Sequence, residues 1–84
     1  MDEKYFTYIL LSAKSGKSYI GQTQDLENRL RFHNEGRSPY TKGRGPWKLV
    51  YFEEFNSRSE AMEREKYLKT GKGREFLKTK IKTG

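Results

Sequence analysis

The sequence contains no cysteine, and this absence removes several kinds of chemistry at once. A disulfide framework, a thiolate metal site and a thiol nucleophile are all excluded. No apolar run approaches the roughly 20 residues that a membrane helix needs, and the N-terminus lacks the basic and then apolar pattern of a signal peptide. We therefore expect a cytosolic protein with no membrane partner. At 84 residues, the chain is long enough for one domain, 1–84, and too short for two.

Acidic residues are also few compared with basic ones. Eleven Asp and Glu stand against 18 Lys and Arg, which gives a net charge of +7. Such an excess favours polyanionic partners through counterion release, and nucleic acid is the leading candidate. The charge is concentrated at 66–84, which has seven Lys and Arg against the single acid Glu75. On charge alone, a solvated basic tail explains this segment equally well.

The first half of the chain changes its apolar period at residue 25. Residues 5–12 and 18–22 are rich in aromatic and β-branched side chains with a turn-forming segment between them, which predicts a β-hairpin. Leu26 and Leu30 then indicate a helix over about 25–35, which Thr23 or Asp25 can cap and Gly36 can end.

The second half predicts a loop, a strand and two helices. The loop covers 37–46, and the strand covers 47–55 with apolar side chains on both faces. Ser57 is spaced as the cap of a helix that runs to about Thr70, where two glycines, Gly71 and Gly73, are expected to end it. A last short helix over about 74–81 would bury Phe76, Leu77 and Ile81. The element order β-β-α-β-α-α predicts an α+β fold with a small sheet.

One acid lies where the helical period predicts an apolar stripe. Glu65 falls between Ala61 and Leu68 on the second helix, at positions i, i+4 and i+7. A buried carboxylate must be paired, hydrogen-bonded or bound to a cation. Without other observations, a buried ion pair with an arginine is the favoured explanation, and a metal site is the alternative.

Other polar residues are informative as a set. Arg29 and His33 are four residues apart on the first helix, so both can point at one target, although a satisfied histidine and a surface arginine are the simpler explanations. Tyr8 and Tyr19 lie in strands, where tyrosine is most often a packing residue. Gly21 differs, because glycine inside a strand often marks a bulge or the close approach of another group.

Together these residues resemble the GIY-YIG nuclease family, and the similarity covers nearly the whole chain. The first signature element appears in altered form as Tyr8-Ile9-Leu10, with Thr7 where the family name has glycine, and the second, Tyr19-Ile20-Gly21, is intact. The matching residues that follow are Thr23, Asp25-Leu26, Arg29-Leu30, His33-Asn34, Gly36, Pro46-Trp47, Glu60-Ala61 and Glu65. Small single-domain bacterial members are particularly similar.

The resemblance implies an endonuclease that hydrolyses DNA, in repair or recombination, on a three-stranded, mainly antiparallel sheet flanked by helices. Tyr19 would act as the general base or contact the nucleophilic water, with Tyr8 as a helper or as the alternative to Tyr19. Arg29 would stabilise the scissile phosphate, and His33 would orient a tyrosine or the phosphate. Glu65 would be the sole protein ligand of one divalent ion, Mg²⁺ or Mn²⁺, since such ions often take one carboxylate together with water and substrate phosphate.

The competing hypothesis is a module on the same scaffold that binds nucleic acid without cutting it. The presence of the whole polar cluster favours the enzyme, because loss of catalysis usually removes the costly buried carboxylate first. DNA is the expected partner in both cases, and RNA is not excluded. The cations predicted to contact phosphates are Arg37, Lys42, Arg44, Lys48, Lys69, Lys72 and Arg74.

Overall fold

The computed structural model describes residues 3–80, and three antiparallel strands form its sheet. Strands β1 (Tyr5–Ser12) and β2 (Ser18–Thr23) form the predicted hairpin. Strand β3 (Trp47–Phe55) pairs with the other edge of β1, so the strand order is β2-β1-β3. The sequence pattern therefore identified every strand, and only the end of β2 moves by one residue.

Helix α1 (Leu26–Asn34) lies on one face of the sheet and begins at the expected cap. The Asp25 side chain accepts a hydrogen bond from the backbone N–H of Asn28 at 3.1 Å. After the helix, the chain turns at Gly36, whose φ of 76° lies in the left-handed region that glycine adopts without strain. Both helix boundaries follow from local sequence, as predicted.

Helices α2 (Arg58–Leu68) and α3 (Gly71–Lys80) cover the other face. The Ser57 side chain caps α2 by accepting from the backbone N–H of Glu60 at 3.2 Å. The sequence prediction that Gly71 and Gly73 end α2 is wrong, because both lie in the first turn of α3. Thr70 starts α3 instead, since its hydroxyl accepts from the N–H of Gly73 at 3.2 Å. The predicted burial of Ile81 lies outside the described residues.

The two sheet faces carry separate apolar clusters. Tyr8, Leu10 and Trp47 are buried on the α1 face, where Leu26 and Leu30 of α1 pack against them. On the α2 and α3 face, the buried residues are Ile9, Leu68 and Leu77. Because successive residues of β1 point to opposite faces, this one central strand supplies both clusters. β1 is also bonded to α2 through Thr7, whose hydroxyl donates to the carbonyl of Ala61 at 2.7 Å.

Strand β3 is less covered than the sequence pattern indicates. Phe52 is 49 % exposed, so the expectation of two covered faces is wrong. Phe52 pairs with Tyr8 across the sheet and therefore lies on the α1 face, where a nine-residue helix is too short to cover the whole edge strand. Its ring packs edge-on against Phe6 at 5.9 Å.

None of the helices in residues 3–80 combines the length and the apolar character that crossing a membrane would require.

The close packing of α2 on α3 generates a prediction about two glycines of the same helix. A Cβ on Gly73 would lie 2.5 Å from the Cα of Leu68 and closer still to the carbonyl of Tyr67, whereas a Cβ on Gly71 would meet nothing within 4 Å. We expect Gly73→Ala to lower the free energy of unfolding by about 1–3 kcal/mol or more, as overpacking does. Gly71→Ala should be neutral or slightly stabilising. Chemical denaturation of both variants measures the difference, and equal effects would contradict this account.

Candidate active site

The site begins with a tyrosine that lies across a neighbouring strand. Tyr8 on β1 is the pairing partner of Gly21 on β2. A Cβ at Gly21 would stand 2.6 Å from the Tyr8 hydroxyl oxygen and 2.8 Å from its Cζ. Glycine is needed here because any side chain would displace the phenol. The close approach expected at Gly21 is thus made by the side chain of the adjacent strand.

The Tyr8 hydroxyl reaches a histidine on α1. The distance from Tyr8 Oη to His33 Nε2 is 3.0 Å, and His33 Nδ1 lies 2.8 Å from the hydroxyl of Thr41. Tyr8, His33 and Thr41 are each at most 2 % exposed. The imidazole is therefore fixed at both nitrogens, between a strand on one side and a loop on the other.

The loop that carries Thr41 is itself held in place by Trp47. The indole N–H of Trp47 donates to the carbonyl of Thr41 at 3.0 Å. Asn34 in turn binds the Trp47 backbone twice, accepting from its N–H at 2.7 Å and donating to its carbonyl at 3.1 Å. Sequence reasoning missed Thr41, because a threonine in a segment rich in glycine, proline and cations carries no periodic signal.

Burial favours the neutral form of both Tyr8 and His33. It lowers the pKa of His33, with the charge of Arg29 as the second cause. It also raises the pKa of Tyr8 to about 12, and Arg29 opposes this rise through its polar contact with the phenol and its charge. In one histidine tautomer Tyr8 donates to Nε2 and Nδ1–H donates to Thr41; in the other, Nε2–H donates to Tyr8 and Thr41 donates to Nδ1. Both tautomers satisfy the chain of three groups.

Arg29 lies next to the hydrogen-bonded Tyr8, His33 and Thr41 side chains, and part of its guanidinium is free to donate further hydrogen bonds. Its guanidinium carbon lies 4.3 Å from the centre of the Phe32 ring, and its buried Nε has no hydrogen-bond partner among residues 3–80. Arg29 also lines a polar pocket of about 320 Å³, whose other cation is Arg58. The arginine therefore contacts the Tyr8 cluster and at the same time opens to solvent.

Glu65 is only half-buried, and its partner is a lysine. Its side chain is 24 % exposed, and Oε2 accepts from Lys69 Nζ at 2.7 Å, one turn along the same helix. The favoured explanation of a buried ion pair with an arginine is therefore wrong, because α2 is rotated so that this acid reaches solvent. The Glu65 charge still contributes to raising the pKa of Tyr8. The carboxylate thus acts on the tyrosine cluster from the helix on the other face of the sheet.

Tyr19 connects the buried cluster to an open cleft. Its ring centre lies 4.7 Å from that of His33, 6.3 Å from that of Tyr8 and 5.5 Å from that of Tyr40. We call the adjoining space, of about 660 Å³, the Tyr19 cleft. It is lined by apolar side chains, four cations, two tyrosines and the end of the hairpin turn, namely Ile9, Leu11, Ile20, Leu77, Lys17, Lys69, Arg74, Lys78, Tyr19, Tyr40, Gly16 and Ser18.

The predicted phosphate contacts divide into two groups. Lys69 and Arg74 line the Tyr19 cleft. The others are exposed but do not line it, namely Arg37, Lys42, Arg44, Lys48 and Lys72. Arg37 is paired with Glu35 at 3.2 Å. Sequence reasoning did not single out Lys17 in the hairpin turn or Lys78 in the basic segment, although an excess of cations in both places was a usable signal.

Comparisons with known proteins agree with this architecture. The model of the GIY-YIG catalytic domain matches residues 4–80. A UPF0213 protein of Clostridium perfringens is 49 % identical over 65 residues, which cover 76 % of this chain and 69 % of that protein. A UPF0213 protein of Oceanobacillus iheyensis is 41 % identical over 70 residues, 82 % of this chain and 80 % of the relative. The solution NMR structure of a UPF0213 protein of Bacillus halodurans superposes with a TM-score of 0.55 at 37 % identity, covering 90 % of this chain and 83 % of that one.

The depressed pKa of His33 generates a prediction about stability in acid. Because the folded state holds His33 neutral below its ordinary pKa of 6.5, the unfolded chain binds the proton first as the pH falls. The free energy of unfolding should therefore decline from about pH 6.5 down to the lowered pKa and then level off. His33 is the only histidine of the chain. Denaturation of the wild type and of His33→Gln between pH 5 and 7 tests this, and an equal slope in both proteins would contradict it.

Proposed function

The chain belongs to the GIY-YIG family, and we propose that it is a divalent-metal-dependent endonuclease that hydrolyses DNA phosphodiester bonds. The observation that carries this proposal is the meeting of Tyr8, Tyr19, His33 and Arg29 in one cluster, of which Tyr19 borders a cleft rimmed by cations. The cluster offers groups for proton handling and for phosphate binding within one site. The cationic rim offers attraction for a polyanion.

Arg29 is the residue proposed to bind the scissile phosphate. Its guanidinium stays charged in all states and can donate two parallel hydrogen bonds to phosphate oxygens. Its place in the lining of the polar pocket of about 320 Å³ supports this role, because a phosphate can reach the guanidinium from solvent there. Negative charge is carried by the non-bridging oxygens when the phosphorus becomes pentacovalent, and an arginine in this place would stabilise that charge.

The two tyrosines have different roles in this proposal. Tyr8 is 2 % exposed and, with a pKa of about 12, remains a phenol at neutral pH. It therefore suits a positioning role, in which its hydroxyl and His33 order the polar groups of the site. Tyr19 is only partly buried and borders the cleft, so it is the tyrosine that can contact the attacking water or, as the phenolate, accept its proton.

Glu65 is the residue proposed to hold the metal ion. Within residues 3–80 no group of three or more His, Asp and Glu side chains is placed to bind a metal, so a single carboxylate with water and substrate phosphate would have to suffice. That ligand set suits Mg²⁺, and the solvent-reached Glu65 carboxylate fits it. A bound ion would supply Lewis-acid activation and charge neutralisation at the phosphate. The alternative is a binding module without catalysis, which the cationic cleft would serve equally well.

Replacing Glu65 by Gln distinguishes metal-dependent cleavage of DNA from DNA binding without catalysis. The exposed pair with Lys69 contributes little stability, on the order of 0.5 kcal/mol, so Glu65→Gln should remain folded. We expect cleavage to fall by at least about 100-fold, since loss of the metal ligand removes several kcal/mol of transition-state stabilisation. DNA affinity measured in chelator should not decrease. The matched control is Glu63→Gln, an exposed acid of the same helix, which should cleave normally.

The assay uses linear, nicked and branched labelled DNA with Mg²⁺, Mn²⁺ or chelator. A stable Glu65→Gln variant with full activity would remove this residue from the mechanism. A loss of about 3 kcal/mol or more in stability would instead indicate a structural role. Absence of cleavage of every substrate by the wild type, with DNA binding retained, would favour the non-catalytic module.

A further inference from the structure

We propose that the Tyr19 cleft binds an unpaired segment of the DNA strand, with the ring of Tyr40 as a stacking surface for a nucleobase. This inference rests on the proposed nuclease function and specifies its substrate: a strand that is single-stranded on one side of the cleaved bond, as in a flap, a loop or a free end. The chemistry of the cleft lining, the exposure of Tyr40 and the distance to Tyr19 each support it.

The lining of the cleft combines two kinds of surface. Its cations, Lys17, Lys69, Arg74 and Lys78, match the phosphates of a nucleic-acid backbone. Its aliphatic side chains are Ile9, Leu11, Ile20 and Leu77. Aliphatic surface gains nothing from phosphate, but it can cover the face of a base. In a duplex those faces are stacked inside the helix, so only an unpaired strand presents bases and phosphates together.

Tyr40 is exposed at the edge of this cleft. Its side chain is 48 % exposed, although a large aromatic residue normally gains by burial. The Tyr40 ring lies 5.5 Å from that of Tyr19 at an angle of 37°, and the guanidinium of Arg44 lies 5.2 Å from the Tyr40 ring centre. Rings and guanidinium planes of this kind are the usual stacking surfaces for unpaired bases.

The Tyr40 backbone is held by its neighbour in sequence. Thr41 is 1 % exposed and is bonded to both His33 and Trp47. The stacking surface is therefore attached to the same anchor that fixes the imidazole. A base on Tyr40 would bring its own phosphate beside Tyr19, the tyrosine proposed to contact the attacking water. Substrate shape and catalysis would then be coupled through two adjacent rings.

The first experiment measures binding without cleavage. Fluorescence anisotropy in chelator compares a labelled single-stranded oligonucleotide with the matching duplex, and a 2-aminopurine in the strand reports stacking by loss of emission. We expect Tyr40→Ala to weaken single-strand binding roughly 5- to 100-fold, which is the usual effect of removing one stacking side chain. It should also restore the emission, while duplex binding changes by less than about twofold. Tyr40→Phe should behave as the wild type.

Tyr67→Ala is the matched control for the tyrosine. Tyr67 is also exposed, at 40 %, and also has an arginine over its ring, Arg64 at 5.0 Å, but it does not line the cleft. For the cationic rim, Arg74→Ala is compared with Arg31→Ala, two exposed helix arginines of which only Arg74 lines the cleft. Arg74→Ala should reduce the slope of log affinity against log salt by about 0.7 for a single strand, and Arg31→Ala should leave it unchanged.

The outcomes distinguish this inference from the proposed function. Equal losses for Tyr40→Ala and Tyr67→Ala, no 2-aminopurine response, or wild-type affinity for duplex equal to or above that for single strand would overturn the inference. Cleavage with Mg²⁺ is scored separately on fully paired and flapped DNA. Cutting of fully paired DNA with no gain from the flap would also overturn it while leaving the nuclease in place. Cleft binding that depends on Tyr40, with no cutting of any DNA, would overturn the nuclease alone.

Discussion

A buried phenol and a buried imidazole must each find a hydrogen-bond partner, and Tyr8 and His33 satisfy this need by bonding to each other at 3.0 Å. Leaving either group unpaired would cost about 1–3 kcal/mol. The bond requires β2 to pair with β1 so that Gly21 lies beneath the phenol, and it requires α1 to place His33 at the phenol oxygen. The same hydrogen bond thus links the hairpin to the helix and sets the geometry of the candidate site.

The histidine extends this dependence to the loop before β3. His33 contacts Thr41, Thr41 is bonded to Trp47, and Trp47 is bonded through its backbone to Asn34, one residue after His33. These contacts close a ring that returns to α1. A loop that would otherwise have little reason to adopt one conformation is therefore ordered by buried polar groups that have no water to bond instead. Tyr40 owes its position beside the cleft to this ring of contacts.

Charge is distributed around the neutral pair in a way that suits a polyanion. Arg29 lies at one side of Tyr8, Glu65 acts on it from α2, and the four cations of the Tyr19 cleft lie beyond. The excess of cations leaves the surroundings attractive to phosphate. Side chains from both faces of the sheet contribute, which a three-stranded sheet allows because its edge at β2 is not covered by another strand.

The sequence by itself determined the element order and the pairing of β1 with β2 in a hairpin. The aromatic and β-branched run in 5–12, the apolar run in 47–55, the caps at Asp25 and Ser57, and the turn at Gly36 are local signals, and local backbone chemistry decides them. The family resemblance and the set of candidate residues also came from sequence.

Tertiary structure alone decided the remaining features. Gly73 marks close helix packing instead of a helix end, because glycine fits both situations and only a neighbouring helix distinguishes them. Glu65 reaches solvent and pairs with Lys69, because packing against the sheet sets the rotation of α2. Thr41 contacts His33 and Tyr40 contacts Tyr19, and no local sequence pattern encodes such contacts between separate segments of the chain.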